Sequence, residues 1–332
     1  MKFSVALIYG GEGAEHDISV VSAKNLGSFI DTERFSLIRI YISRDGSWFI
    51  KDGENEAPTF PVRLDGESGF LCEGKIIPTD IAIISLHGDM GEDGVIAGAL
   101  STAHIPFIGC KTAASSAAAD KIITKMIAEA IGIPTAKWTF SNGEDSDKIR
   151  KRAEALFGYP MFIKPSTLGS SIGISRVCSA KEFDAAYRKA LSYGKRVLIE
   201  EAVPVKVELE CAFLGARGKS HFAVGEILSG GKFYDFSEKY GESSSTKTTL
   251  GELLPSHLRD KTAEYAARLR EAIFAEGLAR FDFFLTDGGE ILFNEINTFP
   301  GMTPTSLFPL LTEKMGLLRG EFINLLLSEA LL

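Results

Sequence analysis

Residues 280–297 read RFDFFLTDGGEILFNEIN, in which two largely apolar runs flank the turn-forming sequence DGG. Successive side chains on a β-strand point to opposite faces, so residues two apart share a face. Arg280 and Asp282 therefore point one way in the first run, as Glu295 and Asn297 do in the second. Apolar residues occupy alternating positions that predict a core face: Phe281, Phe283, Leu292 and Ile296. The pattern predicts a hairpin with one polar face and one buried face.

The polar face of this hairpin brings two carboxylates and an amide together if the two runs pair. Hard oxygen ligands of this kind suit Mg²⁺ that bridges nucleotide phosphates, with water in the remaining positions. We therefore predict Asp282, Glu295 and Asn297 as metal ligands. Asn294 falls on the apolar face, and we do not predict it as a metal ligand. A solvated polar face is the alternative, which the apolar opposite face disfavours.

A second candidate site lies at residues 162–173, which read FIKPSTLGSSIG. Lys164 ends an apolar strand, and a loop of small residues returns to another strand. Glycines let backbone N–H groups turn towards an anion, serine hydroxyls add donors, and lysine supplies a point charge for phosphate. The same composition occurs in ordinary turns, so that alternative stays open. Glu200 and Glu201 end a later strand, whose connection could offer backbone groups to an adenine edge; this indication is weaker.

The first third of the chain alternates short apolar runs with a helical pattern. The apolar runs are Val5–Tyr9, Phe35–Ile42 and Ile81–Leu86, and the helix is predicted over Asp17–Ile30. Such runs predict a parallel sheet that is covered on both faces. Residues 46–78 are richer in Gly, Pro and charge, and they predict an antiparallel insertion.

The remainder of the chain predicts a small α+β unit followed by a largely antiparallel one. Residues 111–131 are Ala-rich and predict one helix, which ends at Gly132. Residues 230–251 are polar and lack apolar periodicity, which in a compact domain indicates a functional lid or disorder. We predict an N-terminal α/β domain over residues 1–109, a central domain over 110–200 and a C-terminal domain over 201–332, with the lid at 230–251.

Composition narrows the classes of function. The net charge of −8, from 36 basic and 44 acidic side chains, disfavours a nucleic-acid partner, whose phosphates need a basic face. The 4 cysteines are far apart and suit a reducing compartment better than a disulfide framework or a zinc site. No signal-peptide pattern and no apolar stretch of about 20 residues is present, so we expect a soluble, cytoplasmic protein without membrane contact.

Three short motifs predict other functions but lack the required context. The GxG pair at residues 11–13 has His16 where a dinucleotide-binding fingerprint needs a third glycine. The GKS sequence at 218–220 has Phe213 where a P-loop needs its first glycine. The GxSxG sequence at 169–173 runs into a strand-like pattern, whereas a hydrolase nucleophile elbow leads into a helix.

The order of the remaining motifs resembles the ATP-grasp superfamily, in which two α+β units hold ATP between them. The fold implied by this resemblance is an ATP-grasp fold of α/β and α+β classes, with an N-terminal Rossmann-like parallel-sheet domain. It implies two Mg²⁺ ions held by the three ligands above, with Mn²⁺ as an alternative metal. It also implies a set of ATP-binding residues: Lys121, Lys164, Ser171, Glu201, Val203, Glu208 and Asn294.

Five separate motifs narrow the resemblance to the D-alanine–D-alanine ligases, and these motifs span most of the chain in order. They are GGEGAEHDIS at residues 10–19, LHGDMGEDG at 86–94, YDFSEKY at 234–240, NTFPGMT at 297–303 and the Ser306–Leu307 pair. Departures from the family pattern are few: Gly13 stands for a serine, residues 204–207 lack a usual glycine, and Phe236 stands for a tyrosine.

The resemblance implies that ATP phosphorylates the carboxylate of one D-alanine, and that the amine of a second D-alanine attacks the acyl phosphate. The dipeptide would serve peptidoglycan synthesis, and the enzyme would be a homodimer. Implied catalytic residues are Glu15, Ser170, Tyr240, Arg280 and Ser306. Implied substrate-binding residues are His87, Lys239, Gly301 and Leu307.

Three alternatives stay open at this point. The second substrate could be D-serine or D-lactate, although Tyr240 favours the dipeptide-forming type. Another ATP-grasp enzyme with different substrates is a second alternative, and the motifs around Glu15, His87 and Tyr240 argue against it. A nucleotide-binding protein without catalysis is the third, and the complete set of expected polar residues argues against it.

Overall fold

The computed structural model describes residues 2–228, 247–318 and 320–332. Its strands form three sheets of eight, four and five strands. None of the helices within these ranges is long and apolar enough to cross a membrane. All four cysteines are free thiols.

The first sheet contains eight strands in the order β6-β5-β4-β3-β2-β1-β7-β8. Their bounds are β1 (Phe3–Gly10), β2 (Phe35–Ile42), β3 (Trp48–Asp52), β4 (Asn55–Leu64), β5 (Glu67–Cys72), β6 (Lys75–Pro78), β7 (Ile81–Ile84) and β8 (Phe107–Ile108). β1 pairs in parallel with β2 and β7, and β7 pairs in parallel with β8, which confirms the predicted parallel sheet. The predicted antiparallel insertion is confirmed as β3 to β6, which extend one edge of this sheet.

Helices α1 (His16–Phe29) and α2 (Val95–Thr102) connect strands of this sheet. The chain turns at Gly10, the last residue of β1, where φ is +98° and a Cβ would lie 2.1 Å from the carbonyl oxygen of Ile42. Only glycine fits this turn, because both the backbone angle and the space exclude a side chain. The turn places the segment around Glu15 at the carboxyl end of the parallel strands, the edge at which ligands bind in open α/β sheets.

The second sheet has four antiparallel strands in the order β11-β10-β12-β9. Their bounds are β9 (Trp138–Ser141), β10 (Met161–Pro165), β11 (Ser175–Val177) and β12 (Val197–Glu201). Helices α5 (Ser146–Leu156) and α6 (Ala180–Leu191) pack on it, and α6 contributes buried Phe183 and Tyr187 to their shared core. The strand predicted from Ile172 begins only at Ser175, because residues 170–173 form a turn.

The third sheet has five strands in the order β15-β14-β13-β16-β17, all antiparallel. Their bounds are β13 (Val205–Ala216), β14 (Lys219–Leu228), β15 (Lys247–Thr249), β16 (Leu278–Thr286) and β17 (Ile291–Asn297). β13 and β14 form a hairpin with its turn at Gly218, and β16 and β17 form the predicted polar-faced hairpin. Most of the predicted lid, residues 230–246, lies outside the described residues, and at its described end β15 pairs with β14.

The helix predicted over residues 111–131 is wrong as a single element, because it is two helices, α3 (Thr112–Ala119) and α4 (Lys121–Ala130). Asp120 separates them with an extended backbone, and its carboxylate accepts hydrogen bonds from the backbone N–H groups of Ile122 (2.9 Å) and Ile123 (3.4 Å). An aspartate that caps the next helix competes with helix continuation. The break places Lys121 at the first position of α4.

The third sheet and its helices share one core. α3, α4 and α7 (Ser256–Ile273) pack against it with Phe281, Phe283 and Phe293 from β16 and β17. The last helices, α8 (Leu307–Lys314) and α9 (Glu321–Ala330), lie in a separate core that joins β1, β7 and α1 of the first sheet to β13 and β14 of the third sheet. The domain boundaries after residues 109 and 200 stay predictions, and α3 and α4 of the predicted central domain pack on the third sheet.

Candidate active site

A cavity of about 730 Å³ lies between the second and third sheets. Lys164 at the end of β10, Lys121 at the start of α4 and Glu208 on β13 reach it from three elements. The connection from β12 to β13 forms another part of its wall. All seven residues predicted to bind ATP line this cavity: Lys121, Lys164, Ser171, Glu201, Val203, Glu208 and Asn294.

The loop after β10 closes one end of the cavity. Ser170 and Ser171 both adopt positive φ values, +49° and +60°, which are uncommon for residues other than glycine and are often found at functional sites. The Lys121 ammonium donates to the Leu168 carbonyl at 2.8 Å, which ties this loop to the start of α4. A lysine, small side chains and turned backbone therefore meet where a phosphate could lie.

Two lysines flank one buried carboxylate beside the cavity. Lys125 lies 3.0 Å from one oxygen of Glu200, and Lys164 contacts the other oxygen. Burial alone would raise the pKa of Glu200, but the two ammonium groups lower it to about 2. Sequence reasoning missed Lys125, although its position one helical turn after Lys121 was a usable signal.

The polar face of the β16–β17 hairpin forms as predicted. Asp282 lies opposite Glu295, and Arg280 lies opposite Asn297. The Arg280 guanidinium donates two hydrogen bonds of 2.7 Å to the Asp282 carboxylate, and the Asn297 amide donates to the same carboxylate at 2.9 Å. The Lys121 ammonium lies 3.1 Å from the Glu295 carboxylate.

The charge of Arg280 is compensated on two sides. Its Nε atom lies 3.5 Å from the carboxylate of Glu210, which pairs with Asp282 across β13 and β16. Burial acts to lower the pKa of Arg280, but the carboxylates of Asp282 and Glu210 raise it well above its usual value. Arg280 is therefore a fixed cation in the site.

The placement of Asn294 corrects the strict alternation assumed for β17. Asp282 pairs with Glu295 while Phe283 pairs with Phe293, so Asn294 is an extra residue in a β-bulge. The bulge lets Asn294 and Glu295 both line the cavity. Leu292 is buried as predicted, but it pairs with the cavity-lining Phe284, so Phe293 and Ile296 are the residues that join the core of the third sheet.

These oxygen donors fit Mg²⁺. In the described part of the chain, no three His, Cys, Asp or Glu side chains converge as a closed metal cage would require. Two carboxylates and one amide match an ion that keeps several waters and takes further ligands from phosphates. The Asn297 amide donates its N–H to Asp282, and its oxygen would bind the metal.

A second cavity, of about 400 Å³, adjoins the first and shares four lining residues with it: Lys121, Leu168, Gly169 and Glu295. It extends to Asn297 and to Gly88 and Glu92, which follow β7 of the first sheet. The junction of the cavities therefore joins the residues predicted to bind phosphate to the first sheet.

A contact between Glu15 and Ser170 joins the first sheet to the loop after β10. The Ser170 hydroxyl donates to the Glu15 carboxylate. The other carboxylate oxygen would lie 2.7 Å from a Cβ at Gly88 and 3.1 Å from one at Gly169, so glycines make room for it. Two of the residues implied as catalytic, Glu15 and Ser170, are thus in contact in the structure.

His87 belongs to a buried chain of polar groups. Its Nε2 atom is 2.9 Å from the Ser22 hydroxyl, which also accepts a 3.4 Å hydrogen bond from the Met302 backbone. Removal from water lowers the pKa of His87 to about 4, and Arg280 acts in the same direction. His87 is therefore neutral near pH 7.

Comparison with known proteins adds the identity of the chain. Residues 4–110 match the family model described as D-ala D-ala ligase N-terminus, and residues 127–328 match D-ala D-ala ligase C-terminus. The chain belongs to the D-alanine–D-alanine ligase family. As a member of this family it is a ligase that uses ATP.

Relatives of known name agree with this family over nearly full length. The D-alanine–D-alanine ligase of Streptococcus equi subsp. equi is 39% identical, with 99% of this chain and 96% of that protein covered. The enzyme of the same name from Chlorobium limicola is 35% identical, with 99% of this chain and 97% of that protein covered.

Solved structures of similar fold include ligases of two named types. The D-alanyl-alanine synthetase A of Vibrio cholerae superposes with a TM-score of 0.89 at 33% identity, covering 99% of this chain and 98% of that one. The VanG D-Ala:D-Ser ligase of Enterococcus faecalis superposes with a TM-score of 0.90 at 31% identity, covering 99% of this chain and 100% of that one. The predicted ATP-grasp architecture with an N-terminal parallel sheet is confirmed.

Within this D-alanine–D-alanine ligase fold, the predicted substrate residues near the C-terminus lie in one turn. Ser306 precedes α8, and its hydroxyl accepts from the Thr303 backbone at 3.0 Å. A Cβ at Gly301 would lie 2.9 Å from this hydroxyl. Leu307 is buried against Gly225 in the core shared with the first sheet, and its substrate contact stays a prediction. Lys239 and Tyr240 lie outside the described residues.

Glu92 is a residue of the ligase site that sequence reasoning quoted within a motif but assigned no role. Its carboxylate accepts from the Gly88 backbone at 2.9 Å and from the Phe299 backbone at 3.5 Å. Removal from water and the nearby Glu15 carboxylate raise the pKa of Glu92 to about 8. Glu92 thus connects the loop of His87 to the loop that carries Gly301.

Proposed function

We propose that this chain joins two D-alanine molecules to D-alanyl-D-alanine, with ATP converted to ADP and phosphate through an acyl phosphate. The observation that carries the proposal is the junction of the two cavities. There, Lys121 and Glu295, which line the cavity predicted to bind ATP, share the junction with Gly169. Gly169 packs beside the Glu15 carboxylate. A carboxylate anion on the first sheet suits a substrate ammonium, and the cation-rich side suits phosphates.

The first step is transfer of the γ-phosphoryl group of ATP to the carboxylate of the first D-alanine. A carboxylate oxygen is a poor leaving group, and phosphorylation converts it to phosphate, which leaves readily. Lys121, Lys164 and the loop at Ser171 hold the phosphate chain in line with the acceptor. Mg²⁺ held by Asp282, Glu295 and Asn297 would neutralise charge on the phosphoryl oxygens.

The second step is attack of the second amine on the acyl phosphate, which expels phosphate and forms the peptide bond. Arg280 and backbone N–H near Gly301 would stabilise the oxyanion of the tetrahedral intermediate. Glu15, Ser170 and Tyr240 would orient the first substrate, and His87 and Lys239 would contact it. Ser306 and Leu307 would receive the second. Glu201 and Val203 would bind adenine, with Glu208 at the ribose.

The proposal extends to the metal ions, the domains, the oligomeric state and the compartment of the enzyme. We expect the site to bind two Mg²⁺ ions, with Mn²⁺ as an alternative metal. Each chain would have three domains, at residues 1–109, 110–200 and 201–332, and would form a homodimer. The enzyme would act in the cytoplasm and supply a peptidoglycan precursor. The free thiols of all four cysteines support a reducing compartment.

D-Alanine–D-serine ligation is the second candidate, because one similar structure is a D-Ala:D-Ser ligase. D-Serine differs from D-alanine by one hydroxyl, which an apolar pocket rejects only weakly. D-Lactate is the other family alternative, and Tyr240 argues against it.

The test is ADP release by the purified chain with D-alanine alone, followed by competition among D-alanine, D-serine and D-lactate with product masses determined. We expect ADP release that depends on D-alanine and a dominant D-alanyl-D-alanine product. L-Alanine is the control and should release no ADP. A dominant mixed product would replace the proposed second substrate, and ADP release indifferent to D-alanine would contradict the ligase reaction.

A further inference from the structure

Lys125 is the one member of the Lys125–Glu200–Lys164 charge cluster that does not line the nucleotide-sized cavity. Its side chain is 1% exposed, and its ammonium lies 3.0 Å from the Glu200 carboxylate, which is 4% exposed. Glu200 and Lys164 both line the cavity and contact each other. Lys125 therefore cannot contact a bound nucleotide directly, and it acts through its charge and its contact with Glu200.

A buried lysine is costly, because its ammonium loses hydration that pairing with a carboxylate only partly replaces. Glu200 and Lys164 already form a neutral ion pair, so this pair needs no second lysine for its own compensation. Burial lowers the pKa of Lys125, whereas the Glu200 carboxylate acts to raise it. With Lys125 protonated, the net charge of the cluster is plus one instead of zero. In surroundings of low polarity this added charge acts at longer range than it would in water.

The place of Lys125 on α4 adds a geometric argument. Lys121 and Lys125 are four residues apart and share one face of the helix. Lys121 reaches Glu295 at 3.1 Å and Lys125 reaches Glu200 at 3.0 Å, so both carboxylates that face the phosphate region are paired with lysines of one helix.

We propose that Lys125 is a positioning residue for nucleotide phosphates: it neutralises Glu200, which leaves the positive charge of Lys164 for the phosphate chain. This inference rests on the proposed function, in which Lys164 contacts ATP. Without Lys125, the Glu200 carboxylate would neutralise the charge of Lys164. The cluster would then attract phosphates less strongly. The adenosine part of the ligand would be bound as before.

The test compares the dissociation constants of ATP and adenosine, measured by competition with a fluorescent ATP analogue. For Lys125→Met we expect about a tenfold fall in the preference for ATP over adenosine, the ratio that isolates the phosphates. The KM for D-alanine should stay unchanged. Lys125→Arg should recover most of the preference, since it keeps the charge. Lys148→Met, on an exposed face of α5, is the matched control and should retain the wild-type ratio.

The double variant Lys125→Met, Glu200→Gln provides a second test if the loss of one of the two lysine partners of Glu200 prevents folding of the single variant. It again leaves one net positive charge, on Lys164, and we expect the ATP-to-adenosine preference to return towards the wild-type value. A preference that stays low in the folded double variant would overturn the inference, as would an unchanged ratio in Lys125→Met. Wild-type protein that binds no ATP would instead contradict the proposed function.

Discussion

Glu295 is the side chain on which both halves of the site converge. It contacts Lys121, lines both cavities and lies opposite Asp282 across the β16–β17 hairpin. A carboxylate in this position can serve a metal and a lysine at once, because each of its oxygens has two lone pairs.

Replacement of Glu295 by glutamine should remove a charge from the metal site while retaining the shape of the side chain. We expect kcat for D-alanine-dependent ADP release to fall by roughly 100-fold or more, as expected when charge stabilisation of a transition state is lost. Glu290→Gln, in the exposed turn of the same hairpin, is the control and should retain activity. Full activity of Glu295→Gln would remove the metal assignment.

His87 should make the free energy of unfolding decrease at acidic pH. Its folded pKa of about 4 lies below the ordinary value of 6.5, because burial disfavours the imidazolium. The unfolded chain therefore binds more protons between these values, and stability should fall as pH falls from about 6.5 to about 4. The loss should reach about 3 kcal/mol.

Denaturant unfolding of wild type and His87→Asn at pH 7 and pH 4 measures this contribution. The variant should lose less stability on acidification than wild type. His257→Asn, at an exposed position on α7, should behave like wild type. Equal acid sensitivity of wild type and His87→Asn would show that His87 is not the group responsible.

At the scale of elements, the break between α3 and α4 positions Lys121. Asp120 caps α4 through two backbone N–H groups, and its carboxylate also lies 2.6 Å from the Arg196 guanidinium. The start of α4, and with it the ammonium of Lys121, depends on this one side chain.

Asp120→Ala should cost about 1 kcal/mol of unfolding free energy through loss of the cap, and more through loss of the Arg196 contact. It should also raise the KM for ATP, since Lys121 loses its fixed helix start. Asp120→Asn can still cap and should cost less. Chemical denaturation and ATP kinetics on both variants check this, and an Asp120→Ala protein as stable as wild type would refute the capping role.

Much of the fold and of the site could be predicted from sequence because apolar periodicity and motif order are local signals. The strands of the first sheet and the polar hairpin are examples. Two features of the structure could not be predicted from the sequence. The bulge at Asn294 depends on pairing with β16, which a strict alternation of faces ignores. The break at Asp120 was hidden because its alanine-rich flanks favour a continuous helix.

The buried cluster around Glu200 could not be predicted from the sequence for a related reason. Lys125 is four residues after Lys121, yet its partner is 75 positions away in sequence on β12. Helical spacing shows that two lysines share a face, but it does not show which carboxylate they meet. Such pairs are fixed by tertiary packing alone.

On the scale of the whole molecule, the contact of Ser170 with Glu15 joins segments 155 residues apart. The Asn25 amide also donates to the Met302 carbonyl at 2.7 Å, so the first sheet is tied to the turn that precedes α8. The first sheet, the loop after β10 and the C-terminal turn therefore all border the site.

Nucleotide binding should consequently protect part of the first sheet from hydrogen exchange. With ADP and Mg²⁺ we expect slower exchange in the loop after β10 and also in residues 10–17, because Ser170 holds Glu15. β5 and β6, at the far edge of the first sheet, are the internal control and should not change. Protection limited to the second and third sheets would argue against coupling through Ser170.

Anomalous scattering from crystals grown with ADP and Mn²⁺ would locate the metal relative to the hairpin. The structure predicts manganese within about 2.0–2.3 Å of oxygens from Asp282, Glu295 and Asn297, with the diphosphate directed towards Lys121 and Lys164. Manganese bound elsewhere, or a diphosphate that lies away from these side chains, would contradict the assignment of the whole site.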